Sequence, residues 1–206
     1  MTSSERPAPR GRPRTITHER IAEAGVRIGL PNLSYALVAA ELGVSHMALY
    51  KHVASLDGLK CLVAEEMFRR WEIPRAQAGT GRAGLKAYLQ VFAAAVRDFV
   101  RAHPGVTPFT IRRLAATPAM LEKIVAHQRH IAEACELSME QARWLLATIA
   151  FHGMAVADTV YTVAGRAPEV EADRSAEEAE MEGELEQGMQ ALIAGALLML
   201  EEGAPG

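Results

Sequence analysis

Within the eight positions from Ser45 to His52, six side chains can make polar or soft contacts: the hydroxyls of Ser45 and Tyr50, the imidazoles of His46 and His52, the Lys51 ammonium and the Met47 thioether. Ala48 and Leu49 between them, with Val53 beyond, give the same segment an apolar side to bury. The donors match phosphates and base edges, and the thioether matches a thymine methyl, so the chemistry on offer is readout of a DNA major groove.

Such a face needs elements to hold it. Ser34 is a good N-cap, and Val38, Ala39 and Leu42 follow at helical spacing to make one short helix. Gly43 permits the left-handed backbone of a tight turn, Val44 can pack into the angle, and Ser45 caps the next helix. That is the geometry of a helix-turn-helix, in which the second helix enters the groove. An ordinary helical hairpin would carry the same spacing with its Tyr and His as surface groups, and two neighbouring features argue against it. Ahead of the helices, residues 1–14 are rich in Pro and Ser and hold Arg10, Arg12 and Arg14, the composition of a flexible basic arm that reaches phosphates or a minor groove. Charge is also divided: residues 1–60 carry eight Lys and Arg against five Asp and Glu, and the rest carries fourteen against twenty. A mildly basic front on an acidic body suits docking on nucleic acid through one end.

The run from Arg10 to about Met67, RGRPR followed by a first helix with Ile21, Ala24 and Ile28 and then LS…AAELGVS…ALYKHV…L…L, resembles the DNA-binding domain of the TetR family of transcriptional regulators. The remainder resembles the family more loosely, most of all the branch that includes the tetracycline repressor. The resemblance implies an all-α fold, with a three-helix N-terminal domain and a larger helical domain for effector binding and dimerisation. It also implies a dimer that represses from a palindromic operator and releases it when a small molecule binds. Carried over by position, Ser45, His46 and Met47 would face bases; Tyr50, Lys51, His52, Tyr35 and the Ser34 helix end would meet phosphates or base edges. Some positions depart from the family pattern. Ala36 and Leu56 stand where polar or basic contacts are common, and the Gly29–Leu33 link is about one turn short. Gly25 replaces a commoner Ala, which predicts a first helix weakened by ~1 kcal/mol. Modest affinity is expected, with the arm carrying more of the phosphate contact.

The domain reading is an arm over 1–14, the DNA-binding unit over 15–54, a connecting helix over 55–71 and an effector and dimerisation domain over 72–206. Ser55 is expected to cap the connecting helix, which buries Leu59, Leu62, Val63 and Met67. Further helices are predicted over 83–102, 106–115, 118–136, 139–164 and 177–201, because Ala, Leu, Met, Glu and Arg dominate and period-two alternation is nearly absent. The segments 139–164 and 177–201 are apolar on most sides and need more partners than one subunit offers, which predicts a homodimer through a four-helix bundle.

An effector cavity would lie between helices, mostly apolar with a few polar points. The candidate linings are Phe92, Phe99, Phe109, Met120, Trp144 and Phe151, with His103 and His127 as polar points; ordinary core packing is the competing reading for each. His103, in His-Pro-Gly, lies where the tetracycline repressor branch has a histidine that contacts ligand and metal. No cofactor is expected, and the effector is unnamed. His127 and His130 with His152 and Asp158 could hold a divalent cation. Against an enzyme, the sequence shows no HExxH, no glycine-rich phosphate loop and no nucleophile elbow. The alternatives to a ligand-responsive repressor are a helical metal- or ligand-binding protein with weakened DNA binding, and a sequence-blind architectural binder, for which the chain is insufficiently basic. Cys61 and Cys135 lack C-x-x-C spacing and read as buried, reduced thiols. With His152 and Asp158 inside the longer apolar run and no apolar signal core at the N-terminus, the reading is a cytoplasmic protein with no membrane partner.

Overall fold

The computed structural model describes residues 16–79, 81–111, 115–165 and 173–203. Among these residues the chain is helical throughout, with no strand: α1 His18–Ile28, α2 Tyr35–Leu42, α3 His46–Tyr50, α4 Leu56–Arg70, α5 Gly81–Ala102, α6 Thr107–Thr110, α7 Pro118–Ala134, α8 Met139–Ala164 and α9 Arg174–Glu201. The basic arm, with Arg10, Arg12 and Arg14, lies outside the described residues.

Helices α1 to α3 fold around the near end of α4. Ile21, Ala24, Val38, Leu49, Val53, Leu59 and Val63 are buried together, and the apolar core continues from them without a break into α5, α8 and α9. Gly25 explains how α1 and α4 approach: a Cβ built on it would collide with Val63 Cγ2. The expectation that this glycine merely weakens α1 is corrected, because alanine does not fit the contact. The short link after α1 is a single 3-10 turn, Leu30–Asn32, entered from Gly29 at φ 81°.

In the body, α8 is the central helix, packed against α5, α7 and α9, with Leu145, Ile149 and Ala157 fully buried. By length and hydropathy α8 could cross a membrane; it carries His152 and Asp158 and packs on α5, α7 and α9. Its start is a complete capping box: the Ser138 side chain accepts from Gln141 N, and the Gln141 side chain accepts from Ser138 N.

Several predicted boundaries shift; the helix expected over 83–102 begins at Gly81. The helix expected over 106–115 is only Thr107–Thr110; residues 112–114 lie outside the described set. The last helix starts at Arg174 instead of 177, because the Asp173 carboxylate accepts from Ser175 N and Ala176 N and caps it earlier. The helix expected to reach 136 stops at Ala134, where Glu136 takes φ 55°. The cysteines are free and half-buried rather than fully buried, and burial pushes both thiols above their ordinary pKa.

Candidate nucleic-acid interface and effector region

The reading face rests on three local devices. Ser34 Oγ accepts from Leu37 N at 3.3 Å and starts α2. Gly43 closes α2 in the left-handed region, at φ 66° and ψ 37°, and Val44 N donates back to Ala39 O at 3.0 Å. Ser45 Oγ then accepts from Ala48 N at 3.2 Å and starts α3. The turn therefore fixes the angle of a helix only five residues long, too short to hold itself.

Tyr35 does not lie where it was expected. Its side chain is buried at 8% exposure, and its hydroxyl donates to Val53 O at 2.7 Å. The ring stacks on Tyr50 with centroids 4.6 Å apart and meets His46 edge-on at 5.2 Å. Tyr35 is thus a support beneath the face, because its one polar atom is already engaged inside the fold. Above it, His46, Met47, Tyr50, Lys51 and His52 are all exposed, Met47 most of all at 69%. His52 is steadied from α1, since His18 Nε2 lies 3.0 Å from its backbone carbonyl oxygen. Ser34 and Ser45 bring their helix ends to the same unit, their hydroxyl oxygens engaged as caps. Ala36 is exposed and offers no donor; exposed Leu37 and Leu56 add apolar surface.

The expected effector residues fall into separate groups. Phe99 stacks on Trp71 at 4.7 Å, meets Phe68 edge-on at 6.0 Å and faces His103 at 5.1 Å. Burial holds the His103 imidazole below its ordinary pKa. Phe92 stacks on His127 at 5.7 Å, and His127 Nε2 lies 2.6 Å from the Tyr88 hydroxyl. Burial first, then the neighbouring His130 and Arg75, lowers His127 from 6.5 to about 4, so this ring is neutral at pH 7. His130 Nδ1 sits 3.2 Å from Arg75 Nη2, and because guanidinium only donates, the His130 proton belongs on Nε2, a buried atom with no partner among the described residues. Met120 is buried in the core, and Phe109, Trp144 and Phe151 are half-buried. None of these eight residues lines either of two clefts on the body. One, of about 430 Å³, is walled by Leu85, Cys135, Leu137, Leu197 and Leu200; the other, of about 320 Å³, by Ala93, Arg97, Gly153, Leu185 and Met189. Among the described residues no three His, Cys, Asp or Glu side chains converge to hold a metal ion.

Two groups escaped the sequence reading. Tyr88 gave no signal, being one apolar-side residue among many. Lys123 did: it sits on the inward side of α7 between Met120 and His127, a place where a lysine must find acceptors. On the outer side of the body, Val156 and Val163 of α8 and Leu198 and Met199 of α9 are exposed.

No protein-family model matches the chain. Over 117 residues, 55% of the chain, it is 33% identical to the HTH-type transcriptional repressor DrrR1 of Streptomyces coeruleorubidus, and the match spans only 42% of that protein's length. Among solved structures it is similar to ActR, a TetR family protein of Streptomyces coelicolor, in complex with (S)-DNPA: TM-score 0.65, 19% identity, 90% of this chain and 98% of that one. For ActR in complex with actinorhodin the TM-score is 0.64 at 20% identity, over 89% and 96% of the two chains. For a TetR variant of Acinetobacter baumannii AYE in complex with minocycline it is 0.58 at 19% identity, over 88% and 96%.

Proposed function

We propose that this chain, which has the fold of the TetR family of regulators, is a transcriptional repressor that binds a palindromic operator as a homodimer and is released by a small molecule. The observation that carries this reading is the exposed row His46, Met47, Tyr50, Lys51 and His52 on a capped helix braced from behind by Tyr35. The likeness to a curated repressor supports it. Base readout falls to Ser45, His46 and Met47, and phosphate contact to Tyr50, Lys51, His52 and the α2 end at Ser34, with the arm arginines adding to it.

Two copies would join through the exposed valines of α8 and the Leu198–Met199 edge of α9, leaving two reading heads to meet half-sites about one helical turn apart. The effector would have aromatic surface and would have to part the packed pairs Phe92–His127 and Phe99–His103 to be faced by them, since neither pair lines a cleft. Solved structures of similar fold hold actinorhodin and minocycline, which supports a small-molecule effector. Helix α4 is the lever. Gly25 presses α1 against it, so a tilt of α4 carries the reading head with it. A ligand that prefers a state with different head spacing lowers operator affinity by that preference.

Selection of bound duplexes from a random pool, followed by salt titration of the winner, tests this. Enrichment of an inverted repeat supports the reading. Lys51→Ala should then weaken all duplexes alike and flatten the salt slope by about one, whereas His46→Ala should relax preference at particular bases. No enrichment would favour the second reading, a helical ligand-binding protein whose DNA face has weakened, which the exposed Ala36 and Leu56 motivate.

A further inference from the structure

We propose that Lys123 is the latch that ties α7, the helix carrying Met120 and His127, to the far end of α4, so that a shift of α7 is passed to the reading head. This rests on the regulator reading and adds to it the group through which the two ends communicate.

The last carbonyls of any helix lack intrahelical donors and form the negative end of its dipole. At the end of α4 they are met by one side chain from another helix. Lys123 Nζ donates to Phe68 O at 3.0 Å, to Arg69 O at 2.9 Å and to Trp71 O. An ammonium has three protons, and all three are engaged. The charge also lies 5.7 Å from the Phe68 ring centre. On its own helix Lys123 is three residues after Met120 and four before His127, so the residues expected to meet an effector flank the latch by one turn on either side. Beyond the latch, Trp71 stacks on Phe99, which faces His103. At the other end α4 is pressed against α1 at Gly25 and Val63. A displacement of α7 must therefore either pull the end of α4 or break charge-assisted hydrogen bonds.

The test uses the full chain in three forms: wild type, Lys123→Met, which keeps length without donors, and Lys123→Arg, which keeps cation and donors. In the free protein, Lys123→Met should speed amide exchange at Arg69, Arg70 and Trp71 by about tenfold or more, the loss expected for hydrogen bonds to a charged group. Exchange in α2 and α3, which Lys123 does not touch, should rise as well, while α8 stays at its wild-type rate and Lys123→Arg restores most of both effects. Faster exchange confined to the end of α4 would make Lys123 a local cap only, and an equal rise in every helix would make it a plain stabiliser; either overturns the latch. With the selected duplex, binding should alter exchange in α7 of the wild type, by reciprocity, and not in Lys123→Met. An unchanged α7 response in that variant also overturns it. If no duplex is enriched, the regulator reading fails, and the free-protein exchange still decides the latch.

Discussion

The reading head and the helical body are built in opposite ways. In the head, each of four successive helices opens on a hydroxyl: Thr17, Ser34, Ser45 and Ser55 each accept a backbone N–H three residues on. Its first three helices are 11, 8 and 5 residues long, lengths that do not persist alone, so caps and glycines set their geometry. The body uses helices of 17 to 28 residues apart from the brief α6. These are capped too, at Thr117, Ser138 and Asp173, but their arrangement follows from buried faces that meet across long stretches of chain. Local chemistry therefore specifies the head, and long-range packing specifies the body.

The sharpest way to break this contrast is at Gly25, where the head depends on packing after all. Gly25→Ala should cost about 3 kcal/mol by overpacking against Val63, although helix propensity alone favours alanine; thermal unfolding that shows a gain would restore the simpler propensity account. In the body the corresponding probe is His127. Its folded pKa lies below 6.5, so the unfolded chain binds more protons between pH 6.5 and about 4, and stability is present above 6.5 and lost as pH falls through that window. The loss should reach about 2 kcal/mol after allowance for partial solvent exposure, and His127→Asn should flatten that part of the denaturant-midpoint profile. Smaller still is Tyr35→Phe, which leaves the Val53 carbonyl without its donor and should cost about 1 kcal/mol. It should leave operator affinity and base preference nearly unchanged, since the phenylalanine ring keeps the stack on Tyr50 and the edge contact to His46. Ser45→Ala should cost about 1 kcal/mol by loss of the α3 cap, read by the same unfolding measurements.

The contrast also explains what the sequence made legible. Caps and turn glycines are written in single residues, so Ser34, Gly43, Ser45 and Ser55 could be placed one by one, and the structure has each in its expected role. Long apolar periodicity gave α8 its full span from Met139 to Ala164. Where a boundary depended on something weaker, it moved: Asp173 caps the last helix ahead of the start expected at 177, and Glu136 adopts a backbone that no residue type announces. The site divided in the same way. Outward residues of α3 follow from helical spacing, but nothing in the spacing separates Tyr35, turned inward to Val53, from a residue turned to DNA. In the body, composition could nominate aromatics as pocket linings; which ring faces which depends on helix rotation, and Tyr88 against His127 or Trp71 against Phe99 emerges only from the assembled structure.

The stack of Tyr35 on Tyr50 has a thermodynamic corollary. Tyr50 reaches a duplex with its ring already held against a buried neighbour, so its rotational freedom is surrendered during folding and not on docking. Lys51, one position on, is exposed and keeps its rotamers until it meets a phosphate. Of these adjacent residues, the tyrosine should contribute to association with little conformational-entropy cost and the lysine with a larger one, a difference that calorimetry on the single substitutions would read as a smaller change in the conformational-entropy part of binding for Tyr50 than for Lys51.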